Sequence, residues 1–365
     1  MFKIAVRKIT RLIAKPFWWV LKVFVASLLC NEGFRRSVYR YALRQKAKGR
    51  MSSFFGAENC YAKDWNDFFG KKTSLSMNQC LNRLLSGLDE LSKESAMLLY
   101  DCRLMPASGA GIGIFNDVGD DLLPLFPLLQ EEQNVLKTKE NNYECPFILP
   151  KEADITHQVS DFGLCYLPDS VRASIRGRDI IDGGGCCGDS ALSFSHYHPK
   201  NVYVFEPNPD SFSAMKEVID ANIGKIGGGG IVSVPLALSK DRCSLVLYSG
   251  GRFDGGATTD ALAHRQNRYE VEAVSIDDYV REHSLDVGLI KLDVEGAESD
   301  VIDGALETIK SQKPVLLISI YHTPKDFFEI KPTLEQLGLG YHFMIRHIIY
   351  DNGFYEYVLL GWTES

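Results

Sequence analysis

Residues 180–206 read IIDGGGCCGDSALSFSHYHPKNVYVFE. The apolar pair Ile180-Ile181 ends in an acid, Asp182, and breaks into consecutive glycines. A helical segment follows, and a second apolar run ends in another acid, Glu206. Strand, glycine turn, helix and strand in that order form a nucleotide-binding unit.

The glycines fit two registers. Gly183-x-Gly185-x-x-Gly188 matches the dinucleotide fingerprint, with Glu206 placed as its ribose-binding acid. One residue over, Asp182-x-Gly184-x-Cys186-x-Gly188 is the acid-first loop of S-adenosylmethionine enzymes. A dinucleotide rests its pyrophosphate on the helix N-terminus, where backbone N–H groups favour negative charge. A carboxylate at the strand end repels that group, whereas it attracts the ammonium and sulfonium of S-adenosylmethionine. Asp182 therefore favours the methyl donor. Glu206 suits the ribose hydroxyls of either cofactor, and Pro207-Asn208 turn the chain and hold the acid at the sheet edge.

The 365 residues, 45% hydrophobic, suffice for one large core and a second smaller one. Nine cysteines without a CxxC pair fit free thiols in a reducing cytoplasm. The net charge of −7 is unevenly spread: residues 1–50 hold thirteen Lys or Arg against one acid, Glu32, so +12 there and −19 in the remainder. Lys8, Arg11, Lys15 and Lys22 make one helical stripe, and Phe17, Leu21, Phe24 and Leu28 another. Such a helix suits an anionic membrane surface, peripheral on its inner face, or an apolar core. Lys15 and Lys22 interrupt it as a spanning segment.

Three regions are expected: a basic amphipathic segment over 1–50, a mainly helical accessory domain over 51–150 and an α/β domain over 151–365. Residues 51–73 read as irregular. Leucines from Ser76 to Leu104 recur at helical spacing, Gly109–Gly113 reads as a loop, and prolines from 124 to 168 mark a connector. After Glu206, strands are expected at Ile231–Pro235, Leu245–Tyr248, Val271–Ser275, Leu289–Asp293 and Val315–Ile320, then a hairpin of Tyr341–Ile345 with Tyr355–Trp362. Ala237, with Leu238, is placed to pack on an adenine face. The alternation predicts a doubly wound, mostly parallel sheet with one antiparallel strand, and ligands beyond the strands' carboxyl ends. Asp182, Glu206 and Asp293 all fall there.

The segments IIDGGGCCGDSALSF (180–194), VYVFEPNP (202–209), VEAVSIDDYV (271–280), LIKLDVEGAESDVIDGA (289–305) and ISIYH (318–322) resemble the FkbM family of S-adenosylmethionine-dependent methyltransferases, over about residues 155–362. The resemblance implies a Rossmann-like seven-stranded methyltransferase sheet with a C-terminal antiparallel hairpin. It implies methyl transfer to a hydroxyl, often of a saccharide or glycoconjugate. Carried over by position, Asp182, Gly184, Gly188, Glu206 and Asn208 would line the cofactor site. The family commonly has Asn where Cys186 stands.

A hydroxyl is a weak nucleophile, so a base is expected as the C–O bond forms. His322 is the first candidate, with Asp293 and Glu295 as alternatives. Carboxylates at 293, 295 and 298 could instead hold Mg2+. The rival functions are an NAD(P)-dependent oxidoreductase and a non-catalytic glycan- or membrane-binding protein on a methyltransferase scaffold. The acidic C-terminal half opposes a nucleic-acid partner.

Overall fold

Strand β1 (Asp179–Gly183) is buried along its whole length, and a strand covered on both faces calls for parallel neighbours with helices above and below. The computed structural model describes residues 62–107, 123–151, 153–251, 267–350 and 355–364, all within one compact unit. The basic segment over 1–50, the Gly109–Gly113 loop and residues 252–266 lie outside the described residues.

Among the described residues, four helices precede the α/β alternation: α1 (Ala62–Lys71), α2 (Ser74–Leu85), α3 (Glu90–Ala107) and α4 (Pro127–Glu140). Short helices α5 (Ile155–Ser160) and α6 (Asp169–Ala173) lead into β1. Then come α7 (Asp189–Ser195), β2 (Val202–Phe205), α8 (Pro209–Ala221), β3 (Ile231–Val234), β4 (Ala237–Leu238), β5 (Cys243–Ser249) and β6 (Asn267–Val274). The chain continues with α9 (Ile276–His283), β7 (Val287–Leu292), α10 (Glu298–Asp303), α11 (Leu306–Gln312) and β8 (Val315–Ser319), and ends in α12 (Pro324–Gln336), β9 (Tyr341–His347) and β10 (Tyr357–Thr363).

The seven-stranded sheet has the order β3-β2-β1-β7-β8-β10-β9. Strand β10 is antiparallel to both of its neighbours and the other pairings are parallel. The expected α/β class and the C-terminal hairpin are both present. Strand order reverses between β1 and β7, which opens a crevice at their carboxyl ends. The strands expected at 245–248 and 271–275 do form, but they pair with each other, and β6 also with β4, in a separate three-stranded sheet.

Two helices lie where the sequence suggests irregular chain. Helix α1 sets Trp65 against Phe327 and Phe328 of α12, with ring centroids 5.6 and 6.2 Å apart, and Trp65 Nε1 donates to the His322 carbonyl at 2.9 Å. Helix α4 buries Leu129, Gln133 and Leu136. Helix α3 covers the edge strand β9: Ile345 N donates to Ser92 Oγ at 2.9 Å, and Arg346 pairs with Asp89 at 3.1 Å. Capping an edge N–H in this way removes a site for unwanted strand pairing. Among the described residues, no helix is long and apolar enough to cross a membrane.

Trp65→Ala should destabilise the protein by about 3–5 kcal/mol in chemical denaturation, the cost of emptying a buried aromatic site. Trp65→Phe should lose about 1 kcal/mol, mostly the indole hydrogen bond. A negligible loss for the alanine variant would mean that α1 does not anchor on α12.

Candidate active site at the carboxyl ends of the strands

The turn after β1 is shaped by close approach. Gly184 has φ +85°, and a Cβ there would lie 1.8 Å from the Asp293 carbonyl oxygen. Only glycine lets the β1 turn press against the chain leaving β7. Gly188, at φ +81°, enters α7 from the left-handed region. Cys186 also has positive φ, +40°. Asn tolerates that conformation better than most residues. The Cys186 N–H donates to Glu206 Oε2 at 2.8 Å.

Asp182 is fully buried. Its Oδ2 accepts from Ser190 Oγ at 2.7 Å, and Oδ1 lies 3.1 Å from Lys291 Nζ. Lys291 also donates to the carbonyls of Gly183 and Gly184, at 3.2 and 2.8 Å. Burial pushes the Asp182 carboxyl up against the pull of Lys291 and Ser190. Burial alone would lower the Lys291 ammonium, but Asp182 and Asp293 outweigh it and push it up. Asp182 thus meets its countercharge inside the protein and holds the turn. Sequence reasoning missed Lys291, although a charged residue within the buried LIKL run needs a partner. The sheet register sets Lys291 directly beside Asp182.

Glu206, after β2, ties two loops together: Oε2 holds Cys186 N, and Oε1 accepts from Asn208 N at 2.8 Å. Asn208 is fully buried and caps α8 through Asp210 N at 3.1 Å. Its Nδ2 donates to Ser211 Oγ and Ser249 Oγ at 2.9 and 2.8 Å, which joins α8 to the end of β5. Ala237 packs into the core of the small sheet with Leu247, Val271 and Ala273. It is Leu238 that borders the glycine turn, with its Cδ1 2.8 Å from where a Cβ on Gly183 would stand.

Beyond β7 and β8 lies a second group. His322 has no exposed surface. Its Nδ1 is 2.9 Å from Glu298 Oε1, and its Nε2 is 3.6 Å from Asp293 Oδ1 and 3.7 Å from Glu295 Oε2. Burial alone would lower the imidazole, but Glu298, Glu295 and Asp293 push it up to about 10. Burial would raise the Asp293 carboxyl, yet His322 and Lys291 hold it below the usual range. Glu298 also accepts from Val294 N and Gly296 N at 2.8 and 3.0 Å. The Tyr321 hydroxyl links the group onward, 3.3 Å from Asp293 Oδ1 and 3.2 Å from Glu356 Oε1. Glu356 in turn pairs with His157 at 3.1 Å. No sequence spacing points to His157. Burial lowers its ring's pKa, but Glu356 outweighs this and pushes it up to about 9.

A parallel sheet carrying one antiparallel strand next to its edge, with a glycine turn and acids at the strand ends, is the Rossmann-like methyltransferase arrangement. Residues 182–354 match the family described as Methyltransferase FkbM domain. The chain is 24% identical over 182 residues to Methyltransferase 1 of Beauveria bassiana, an overlap of 44% of this chain and 72% of that protein. It is 29% identical over 148 residues to the 2-O-methyltransferase NoeI of Sinorhizobium fredii, covering 36% of this chain and 58% of that one. The crystal structure of a methyltransferase FkbM from Methylobacillus flagellatus KT overlaps 71% of this chain and 65% of its own, at 16% identity and a TM-score of 0.42.

Lys291→Met should cost about 3–5 kcal/mol in chemical denaturation, because it strands the Asp182 charge in the interior. Adding Asp182→Asn should recover part of the loss, and no recovery would separate the two residues energetically. His157 has its pKa raised above the unfolded 6.5, so its contribution is complete below that pH and fades as pH rises through 9. The stability of the wild type relative to His157→Gln should therefore shrink by up to about 3 kcal/mol from mildly acidic to strongly alkaline pH. A constant difference would dismiss the His157–Glu356 pair as a stabilising contact.

Proposed function

We propose that this protein is an S-adenosylmethionine-dependent O-methyltransferase acting on a hydroxyl of a saccharide or glycoconjugate. The observation that carries this reading is the contact of the Gly184 turn with the chain at Asp293, which sets a partly exposed acid pair beside the cofactor loop. The relative whose name specifies a 2-O-methyltransferase supports oxygen as the acceptor. The resemblance to the FkbM family supports a sugar.

In this reading Glu206 receives the ribose hydroxyls, and the Gly183–Gly188 turn carries the rest of the cofactor. The acceptor oxygen attacks the methyl carbon in line as the C–S bond breaks. The bonding pair returns to sulfur, and neutral S-adenosylhomocysteine leaves. Most of the acceleration comes from alignment, and the hydroxyl proton passes to a carboxylate. His322, the first candidate from sequence, has no surface with which to meet an acceptor. Asp293 and Glu295 are 28% and 21% exposed. We therefore assign the proton to Asp293, with His322 positioned behind it.

Calorimetric titration of the full chain with S-adenosylhomocysteine should show micromolar binding, with NADH inert. Glu206→Gln should weaken that binding about tenfold or more, as expected for losing charge-assisted hydrogen bonds. Asp293→Asn should lower kcat on a responsive sugar acceptor by about 100-fold or more while keeping S-adenosylhomocysteine affinity. An undiminished kcat would remove Asp293 from proton transfer, and an absence of cofactor binding would reduce the domain to a scaffold.

A further inference from the structure

Asp293, Glu295 and His322 converge more tightly than a proton acceptor requires. One ligand-capable atom of each lies within 4.8 Å of the others. The separations from His322 Nε2 to Asp293 Oδ1 and Glu295 Oε2, 3.6 and 3.7 Å, exceed hydrogen-bond length. Two ligands bonded to one ion at about 2.0–2.2 Å stand roughly 3–3.6 Å apart, close to what is seen. The ring is also held from behind. Glu298, itself fully buried, lies 2.9 Å from Nδ1 and is fixed by the N–H groups of Val294 and Gly296. A carboxylate on the far ring nitrogen sets the tautomer and aims the near nitrogen at a metal. Glu295 adopts the left-handed region, φ +56°, in the turn that brings its carboxylate to the ring.

We infer that Asp293, Glu295 and His322 bind a divalent first-row transition ion, such as Mn2+, through two carboxylate oxygens and Nε2. Mg2+ takes oxygen ligands in octahedral geometry, and a buried imidazole nitrogen shifts the preference towards transition metals. His322 closes one side of the site, while the partly exposed carboxylates leave the other side open. The ion's role, though not its binding, rests on the methyltransferase reading: an open position beside the Gly184 turn would take the acceptor oxygen and ease its deprotonation. The proton then leaves to a carboxylate oxygen not engaged with the ion.

The test is a titration of the chelator-stripped full chain with Mn2+, followed by the paramagnetic resonance signal of the free ion. One Mn2+ per chain is expected, displaced by Mg2+ only at about tenfold or greater excess. Glu295→Gln should weaken Mn2+ binding at least tenfold, and Glu298→Gln by about 10–100-fold through the ring. Binding of S-adenosylhomocysteine to the same samples reports an intact fold. The partly exposed Glu295 variant decides the matter should the buried substitution unfold the protein. Absence of Mn2+ binding, or equal affinity in wild type and Glu295→Gln, overturns the site. Equal competition by Mg2+ overturns the assignment to a transition ion. Mn2+ binding without S-adenosylhomocysteine binding would leave the ion site standing and remove the methyltransferase reading.

Discussion

Asp182 and Lys291 lie side by side on the two central strands, in the most thoroughly buried part of the sheet. Taking two charges out of water costs several kcal/mol per ion, and only good geometry with further hydrogen bonds offsets it. Here Ser190 donates to Oδ2 of the carboxylate, and the Gly183 and Gly184 carbonyls accept from the ammonium. The pair therefore does more than neutralise itself. It pins the glycine turn to β7 and α7 to β1, and so sets the mouth of the crevice.

The rest of the candidate site follows from that mouth. Because the turn is held against β7, Gly184 has no room for a side chain, and Asp293 emerges beside the turn. Glu206 ties the turn to the loop after β2, and Asn208 ties that loop to α8 and β5. Carboxylates then gather around His322 at the ends of β7 and β8, with Trp65 of α1 holding the histidine's backbone. The helical region before the sheet thus braces the candidate site from outside it.

Where the sequence misled, the cause was a long-range partner. Helix α4 carries an apolar stripe interrupted by Gln133, whose buried amide is 2.7 Å from His347 Nδ1 on β9. Read locally, the stripe looks broken, and the prolines nearby suggested a connector. Helix α1 is ten residues long, too short to stand out by periodicity alone, and it is fixed by aromatic contact with α12. The partner of Asp182, Lys291, is likewise invisible to local reading, because the register of β1 against β7 brings the two together.

The sequence by itself determined what depends on neighbours along the chain: the buried apolar runs that become strands, the glycines that alone tolerate the turn, and the acids that end strands at the carboxyl edge of the sheet. From those came the α/β class, the mostly parallel sheet and the FkbM resemblance. Tertiary structure alone decided which group faces which. Asp182 with Lys291, His157 with Glu356, and Trp65 with the His322 carbonyl are joined across stretches of sequence that no local pattern spans. Strand order and helix docking set those pairings, because a buried charge or donor must find its partner wherever the fold delivers one.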